Sequence, residues 1–272
     1  MSAHPTPAHP YTPVPLLRGK VIVISGVGPG LGHSLTVEAA RMGATLVLAG
    51  RTEKRLREYA DEVSALGATA HVVRADITDE TQRQALAEQT LAATGRVDCL
   101  INNAFAIPPM HPISQIDLEA LRVANETNVF APLRLSALFA DALAATRGSI
   151  IMLNSCVSYS SQPEYSGYKL SKGALQHLAS SLATELGPRG IRVNSVAPSY
   201  VYEDINKAYF DWLATQSGVG HGDIYRQKAA PTDLGRLADP EEVARAALFL
   251  ASDLATAVTG QMLTVDCGEF HR

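Results

Sequence analysis

Cysteine is nearly absent. The chain has only Cys99, Cys156 and Cys267 among 272 residues. They have no metal-ligand spacing and make no disulfide framework. No metal centre is expected, and His4 and His9 read as solvated linker residues. Cys99 sits in an apolar run and is expected to pack as a small hydrophobe. Charge is sparse as well: 18% of residues are charged and the net charge is −4. That balance gives no electrostatic case for nucleic acid or an anionic membrane. No apolar run reaches membrane-spanning length. The N-terminus has neither the basic start nor the apolar stretch of a signal peptide. No internal repeat is found. A cytoplasmic protein with no nucleic-acid and no membrane partner is expected.

Apolar residues make up 46% of the chain, enough for one substantial core. Strand signals alternate with helical ones throughout, which predicts an α/β fold with a parallel sheet covered on both faces. Residues 1–16 differ: Pro5, Pro7, Pro10, Pro13 and Pro15 predict an extended or disordered arm. Residues 17–272 are then expected to form a single domain.

Two segments carry chemistry. The first holds Ser155, Tyr168 and Lys172. Tyr and Lys four apart share a helix face, with Cβ atoms roughly 6 Å apart. An ammonium beside a phenol favours the phenolate and moves its pKa down from about 10. That makes a proton donor and acceptor useful at cellular pH. A hydroxyl such as Ser155 can hold a carbonyl oxygen beside the phenol. Tyr165 and Lys169 have the same spacing, so spacing alone is a weak signal. Its plain alternative is a half-buried aromatic with a snorkelling lysine.

The second segment is a strand, a glycine turn and a helix. Lys20–Ser25 is a β-branched run, and Gly26-Val-Gly-Pro-Gly30-Leu-Gly32 follows at once. Leu35, Ala39, Ala40 and Met42 then recur on one helical face. This arrangement points backbone N–H groups and a helix N-terminus at a diphosphate. The literal G-x-G-x-x-G spacing fails, because its last glycine would fall on His33; Gly26, Gly30 and Gly32 fit instead. The plain alternative is an ordinary glycine-rich turn. The next strand, Thr45–Ala49, ends at Gly50-Arg51. A site preferring NAD usually has a carboxylate there for the ribose 2′-hydroxyl. Glycine followed by arginine suits a 2′-phosphate instead, so NADP(H) is favoured over NAD(H). A solvated Arg51 beside Glu53, Lys54 and Arg55 is the alternative.

Together these segments resemble the short-chain dehydrogenase/reductase family in its compact single-domain branch, from about Leu17 to about Gly268. The family's T-G-x-x-x-G-x-G motif is matched with Ser25 in place of threonine. Asn102-Asn103-Ala104 matches Asn-Asn-Ala-Gly. Tyr168-Lys-Leu-Ser-Lys172 matches Tyr-x-x-Ser-Lys. Ser155 precedes Tyr168 by the family's thirteen residues, whereas Met152 stands thirteen before Tyr165. That register selects Tyr168. The resemblance implies a Rossmann-type, doubly wound, seven-stranded parallel sheet with helices on both faces. It implies a catalytic set of Asn128, Ser155, Tyr168 and Lys172. It also implies a cofactor set of Ser25, Gly26, Gly30, Leu31, Gly32, Arg51, Asp76, Ile77, Asn103, Ala104, Tyr168, Lys172, Pro198 and Val201, with Asp76 at the adenine ring. Asn128 would hold a water that links Lys172 to solvent. Family members usually form homodimers or homotetramers.

Three positions depart from the family pattern. Phe105 replaces the glycine after Asn-Asn-Ala, Ser199 replaces the glycine of a Pro-Gly pair, and Glu203 replaces a threonine that often contacts the nicotinamide amide. The Glu203 contact is therefore not carried over.

The implied activity is NAD(P)(H)-dependent interconversion of a secondary alcohol and a ketone, with Tyr168 as general acid/base. Two alternatives are a 3-oxoacyl-carrier reductase and a non-catalytic dinucleotide-binding sensor. A substrate lid is expected near 199–237. There Ile205, Tyr209, Trp212 and Leu213 fall on one helical face, and Gly218, Gly220 and Gly222 follow as a possible hinge. That face covers either the substrate or the core and a neighbouring subunit. The pocket is expected to draw on Phe105, Cys156, Tyr159, Tyr202, Tyr209 and Trp212, with core packing as the other reading of Cys156. Such a pocket favours a bulky, largely apolar alcohol or ketone.

Overall fold

Side-chain alternation along the strands sorts the chain into two apolar layers around one sheet. In the computed structural model, which describes residues 12–271, Ile22 and Ile24 of β1 (Val21–Ser25) face one cluster, and Val21 and Val23 face the other. In β2 (Thr45–Gly50) Leu46 and Leu48 join the first, and Val47 and Ala49 join the second. Such two-sided burial requires near-continuous apolar strands, and the period of two decides which face each residue serves. The remaining strands are β3 (Ala70–Arg74), β4 (Cys99–Asn102), β5 (Ser149–Leu153), β6 (Arg192–Pro198) and β7 (Met262–Val265). All seven are parallel, in the order β3-β2-β1-β4-β5-β6-β7.

Helices cover both faces. On one side lie α1 (Leu31–Arg41), α2 (Glu53–Ala65) and α9 (Pro240–Ala251), which contribute Leu35, Leu56, Val243 and Leu248. On the other lie α3 (Glu80–Thr94), α5 (Ala131–Thr146) and α6 (Ser166–Leu186), which contribute Leu86, Phe139 and Leu175. The strand order reverses between β1 and β4. Their carboxyl ends therefore open the crevice where ligands meet sheets of this kind.

The chain from α4 (Leu118–Asn125) into α5 is helical throughout and includes one π-helical turn, Glu126–Phe130. The stretch Leu118–Thr146 is long and apolar enough to cross a membrane by length and composition. The expectation that no segment reaches that length was thus too strict. In the fold Leu135, Phe139 and Leu143 of this stretch pack on the sheet, while Val123, Phe130 and Leu133 stay exposed.

The segment after β6 departs from expectation. It forms two helices, α7 (Asp204–Ser217) and α8 (His221–Ala229). The inward face of α7 matches the predicted one only in part: Tyr209 and Leu213 turn inward, half-buried. Phe210 and Ala214, one turn apart, pack with Ile224, Tyr225, Ala229 and Leu237 in a small separate cluster. Ile205 and Trp212 are 58% and 56% exposed. The buried stripe is centred one residue further along than the predicted one, on Phe210 and Ala214, with Tyr209 and Leu213 at its edge. Gly218 takes φ 67° as the left-handed cap of α7, and Gly220 stands at the start of α8. Of the predicted hinge glycines, Gly218 and Gly220 flank the junction between the two helices and Gly222 lies inside α8. The prolines and histidines of residues 1–11 lie outside the described residues.

Candidate active site

The crevice is built first by the glycine turn. Gly26 takes φ 90°, and a Cβ there would fall 2.3 Å from the Ala104 backbone. Any side chain would break that approach. Gly30, at φ 76°, precedes α1 and leaves the Leu31 N–H at the helix start. Asn103 stitches the turn to β4: its Nδ2 donates to the Gly26 carbonyl at 2.8 Å. The backbone N–H groups of Asn103 and Ala104 donate to the Ser25 carbonyl at 3.0 and 2.9 Å. Beneath the turn, the Ser25 hydroxyl and both polar atoms of the Asn102 side chain are buried with no partner among the described residues. Ser25 and Asn102 are register partners in adjacent strands. Orphaned polar groups of this kind mark places where a ligand or ordered water completes the bonding.

The end of β2 is tightly packed at Gly50. A Cβ at Gly50 would lie 3.1 Å from the Val27 carbonyl oxygen and 3.3 Å from Leu56. Arg51 is exposed next to it. Asp76 follows β3, where its Oδ1 accepts the Thr78 N–H at 3.0 Å and hydroxyl at 2.8 Å. The Thr78 N–H, the Thr78 hydroxyl and the nearby Arg51 charge hold its carboxyl below the ordinary value against some desolvation. Ile77 turns its side chain into the core. These features fit a dinucleotide: a helix start whose Leu31 N–H faces the crevice, two glycines admitting close backbone approach, and a carboxylate just after β3.

The chemistry-bearing residues meet at the carboxyl end of β5. Ser155 follows the strand in extended conformation, and its hydroxyl hydrogen-bonds the Tyr168 phenol. Lys172 lies one turn further along α6, with Nζ donating to the Leu153 carbonyl at 2.8 Å. The same ammonium sits 4.6 Å from the Phe105 ring centroid, an arrangement that favours the cation electrostatically. The Phe105 ring meets Tyr168 edge-on with centroids 5.6 Å apart. Lys169, by contrast, has Nζ on the Ser160 carbonyl at 2.7 Å and the Ser161 hydroxyl at 3.0 Å. It braces a loop and serves no phenol. Geometry and register thus agree on Tyr168.

The electrostatics differ from the simple picture of an ammonium acidifying a phenol. Burial pushes Tyr168 above its ordinary value, and the Ser155 hydrogen bond opposes this. Burial alone brings Lys172 down to about 7. The reason is position: the Lys172 ammonium is spent on Leu153 and Phe105, so the pair is tuned by desolvation first.

Asn128 lies in the π-helical turn and is 2% exposed. Its amide clamps one residue at both ends. Oδ1 accepts the Ala106 N–H and Nδ2 donates to the Ala106 carbonyl, each at 2.8 Å. The side chain is therefore committed to holding the loop that carries Phe105. Ser171 donates to Asn125 Oδ1 at 2.6 Å, and Asn125 donates to Leu121, which ties α6 to α4. A π-helical turn beside an active site is a common association.

The expected pocket residues divide. Phe105 is at the site. Cys156 is not part of an open pocket: it is 2% exposed and its thiol donates to the Ala197 carbonyl at 3.0 Å. Its pKa is pushed up to about 12, chiefly by burial. Tyr202 turns toward α8, against Tyr225 at 4.8 Å and His221 at 6.3 Å. Tyr159 faces Phe270 at 6.0 Å. Tyr209 reaches the site through its hydroxyl, which hydrogen-bonds Tyr165. Trp212 only stacks on the Tyr209 ring from outside, at 5.9 Å.

Two tyrosines were missed. Tyr165 lies 6.1 Å from Tyr168, and Tyr200 hydrogen-bonds Tyr165. Tyr200 follows Pro198-Ser199 in a stretch with no periodicity, so nothing local marks it. A cavity of about 470 Å³ opens beside Tyr165, lined in part by His111, Ile113, Pro163 and Lys169. A larger groove of about 760 Å³ runs by β3 past Arg57, His71 and Gln89, and no chemistry-bearing residue named above lines it.

Pro198 ends β6, and Val201 bridges to Ala238. Ser199 hydrogen-bonds Glu269. Glu203 Oε2 accepts the Leu31 N–H at 2.9 Å.

Comparison with known proteins decides the family. The family model described as enoyl-(acyl carrier protein) reductase matches residues 26–269. The chain is 34% identical to the 7alpha-hydroxysteroid dehydrogenase of Escherichia coli (strain K12) over 253 residues, covering 93% of this chain and 94% of that one. It belongs to the short-chain dehydrogenase/reductase family.

As a family member it is an NAD(P)-dependent oxidoreductase. The cyclopentanol dehydrogenase of Comamonas sp. (strain NCIMB 9872) is 32% identical over 254 residues, covering 93% of this chain and 97% of the relative. Among solved structures, a 7 alpha-hydroxysteroid dehydrogenase complexed with NADH and 7-oxo glycochenodeoxycholic acid superposes with a TM-score of 0.83 at 34% identity, covering 93% of this chain and 94% of that one. That short-chain dehydrogenase/reductase holds NADH, so it lends no support to a preference for NADP(H).

Proposed function

We propose that the protein interconverts a secondary alcohol and a ketone, with Tyr168 as the acid/base. The observation that carries this reading is the Ser155–Tyr168 hydrogen bond with Lys172 one helical turn away. A nicotinamide cofactor held in this crevice would supply or accept the hydride. In reduction the Tyr168 phenol donates its proton to the carbonyl oxygen, and in oxidation the phenolate removes it. Ser155 holds that oxygen in place. Lys172 positions the ribose and favours the phenolate once its charge faces the phenol. Asn128 keeps Ala106, and hence Phe105, over Lys172. The relatives' names support an alcohol substrate, since they are dehydrogenases of a hydroxysteroid and of cyclopentanol.

For the substrate itself we favour a bulky, largely apolar molecule. Support comes from Phe105, Tyr165, Tyr200 and Tyr209 near the phenol. In a ketone series of rising size, kcat/KM should increase from small polar ketones to polycyclic ones. Highest kcat/KM for small charged ketones would reject this assignment.

For the cofactor we favour NADP(H). Gly50 stands where an acid would hold a ribose 2′-hydroxyl, and Arg51 is exposed beside it. Arg51→Ala should weaken NADPH by roughly ten- to a hundred-fold, as expected for loss of a hydrogen bond to a charged group worth about 1.5–3 kcal/mol. NADH should change little. Equal losses for both, or wild-type preference for NADH in titration, would reject the 2′-phosphate role.

A further inference from the structure

Glu203 has no task in the proposed reaction, yet its carboxylate lies on the glycine turn. The Leu31 N–H is among the first of α1 and has no partner within the helix. It donates to Glu203 Oε2 at 2.9 Å. A Cβ built on Gly30 would fall 2.0 Å from the same oxygen, so the carboxylate is seated against the Gly30 backbone. Glu203 stands at the N-cap of α7 but makes no side-chain cap to α7; the side chain crosses to α1 instead. Its stem is well fixed. The Tyr202 N–H donates to the Ala238 carbonyl at 2.8 Å, and Asn206 donates to the Val201 carbonyl at 2.8 Å.

The surroundings of that carboxylate are mixed in charge. Asp204 and Lys207 approach from α7, and Glu241 approaches from α9. Glu241 itself accepts the Ser34 hydroxyl of α1 at 3.0 Å. Burial, then Asp204 and Glu241, push the Glu203 carboxyl above its ordinary value, against the Leu31 hydrogen bond and Lys207. An anion is thus built into the helix start that a dinucleotide's diphosphate requires.

We propose that Glu203 is a built-in competitor of the dinucleotide: its carboxylate must leave the Leu31 N–H before a diphosphate can be held there, so it sets cofactor affinity and release. Two anions cannot share one N–H donor at hydrogen-bond distance. The apparent affinity is then the intrinsic affinity scaled by the fraction of molecules with Glu203 withdrawn. Because Glu203 begins α7, withdrawal also loosens the lid from the crevice, which links cofactor exchange to lid movement. In many enzymes such release steps limit turnover.

The test is a binding measurement that needs no turnover. Kd values for NADP⁺, NAD⁺ and ADP-ribose are measured on wild type, Glu203→Gln and Glu203→Ala by calorimetry. Dissociation rates follow from Trp212 emission, since Trp212 is the chain's one tryptophan and lies on α7. Both variants should bind all three ligands at least about five-fold more tightly, with slower dissociation. Glu203→Gln keeps the side chain's size and decides the matter if Glu203→Ala does not fold. Unchanged or weaker binding in the folded variants would overturn the proposal, because Glu203 would then merely brace the lid or itself hold the cofactor.

Discussion

Tyr168→Phe should reduce kcat for ketone reduction by about 10²–10⁴-fold, the range for loss of a positioned general acid. Its ring packs edge-on to Phe105 and Tyr165, and phenylalanine preserves both contacts. The binding of NAD(P)H should therefore stay within about two-fold of wild type. The lost atom is the one that hydrogen-bonds Ser155. Tyr165→Phe is the matched control, because it removes a hydroxyl that bonds Tyr200 and Tyr209. Its effect should be at least ten-fold smaller on kcat. Steady-state kinetics and calorimetry on the two variants check this, and the opposite ranking would show that the register is wrong.

Lys172→Met should lower kcat by a similar amount, and it should also change how stability depends on pH. Lys172 has its pKa brought down to about 7 by burial, from an ordinary 10.5. Between those values the unfolded chain holds a proton on this lysine that the folded chain has lost. Unfolding then binds a proton, so stability rises with pH from about 7 to about 10.5, with a slope of up to about 1.4 kcal/mol per pH unit from this group. Below about 7 both states are protonated and the slope vanishes. Urea titrations without cofactor should show this rise in wild type and its loss in Lys172→Met. Identical pH dependence in the two proteins would place the lysine in a better solvated site than Leu153 and Phe105 provide.

The parts of the molecule that local sequence encodes were legible. β1 and β2 announce themselves as β-branched and aliphatic runs because both of their faces are buried. The Ser155–Tyr168 register favoured Tyr168 over Tyr165 before any contact was visible, and the structure has Lys169 bonded to Ser160 and Ser161. What stayed hidden depends on long-range contact. Tyr200 joins the site only because β6 brings it beside the start of α6. Cys156 turns inward because the Ala197 carbonyl of the neighbouring strand accepts its thiol. The face of α7 was legible only in part: Tyr209 and Leu213 turn inward as expected, but packing against α8 buries Phe210 and leaves Trp212 exposed. Glu203 reaches Leu31 across 172 positions of chain, and no periodicity reports such a contact.

Hydride transfer to a carbonyl carbon is most directly followed with isotope. A ketone is incubated with the enzyme and NADPH deuterated at the transferring face of nicotinamide C4, and the product is read by NMR. The expected product carries one deuterium on the carbinol carbon, and it disappears with Tyr168→Phe. Deuterium on the carbon β to a retained carbonyl, from an unsaturated acyl substrate, would contradict alcohol–ketone chemistry. So would the absence of transfer to any ketone from a cofactor that binds.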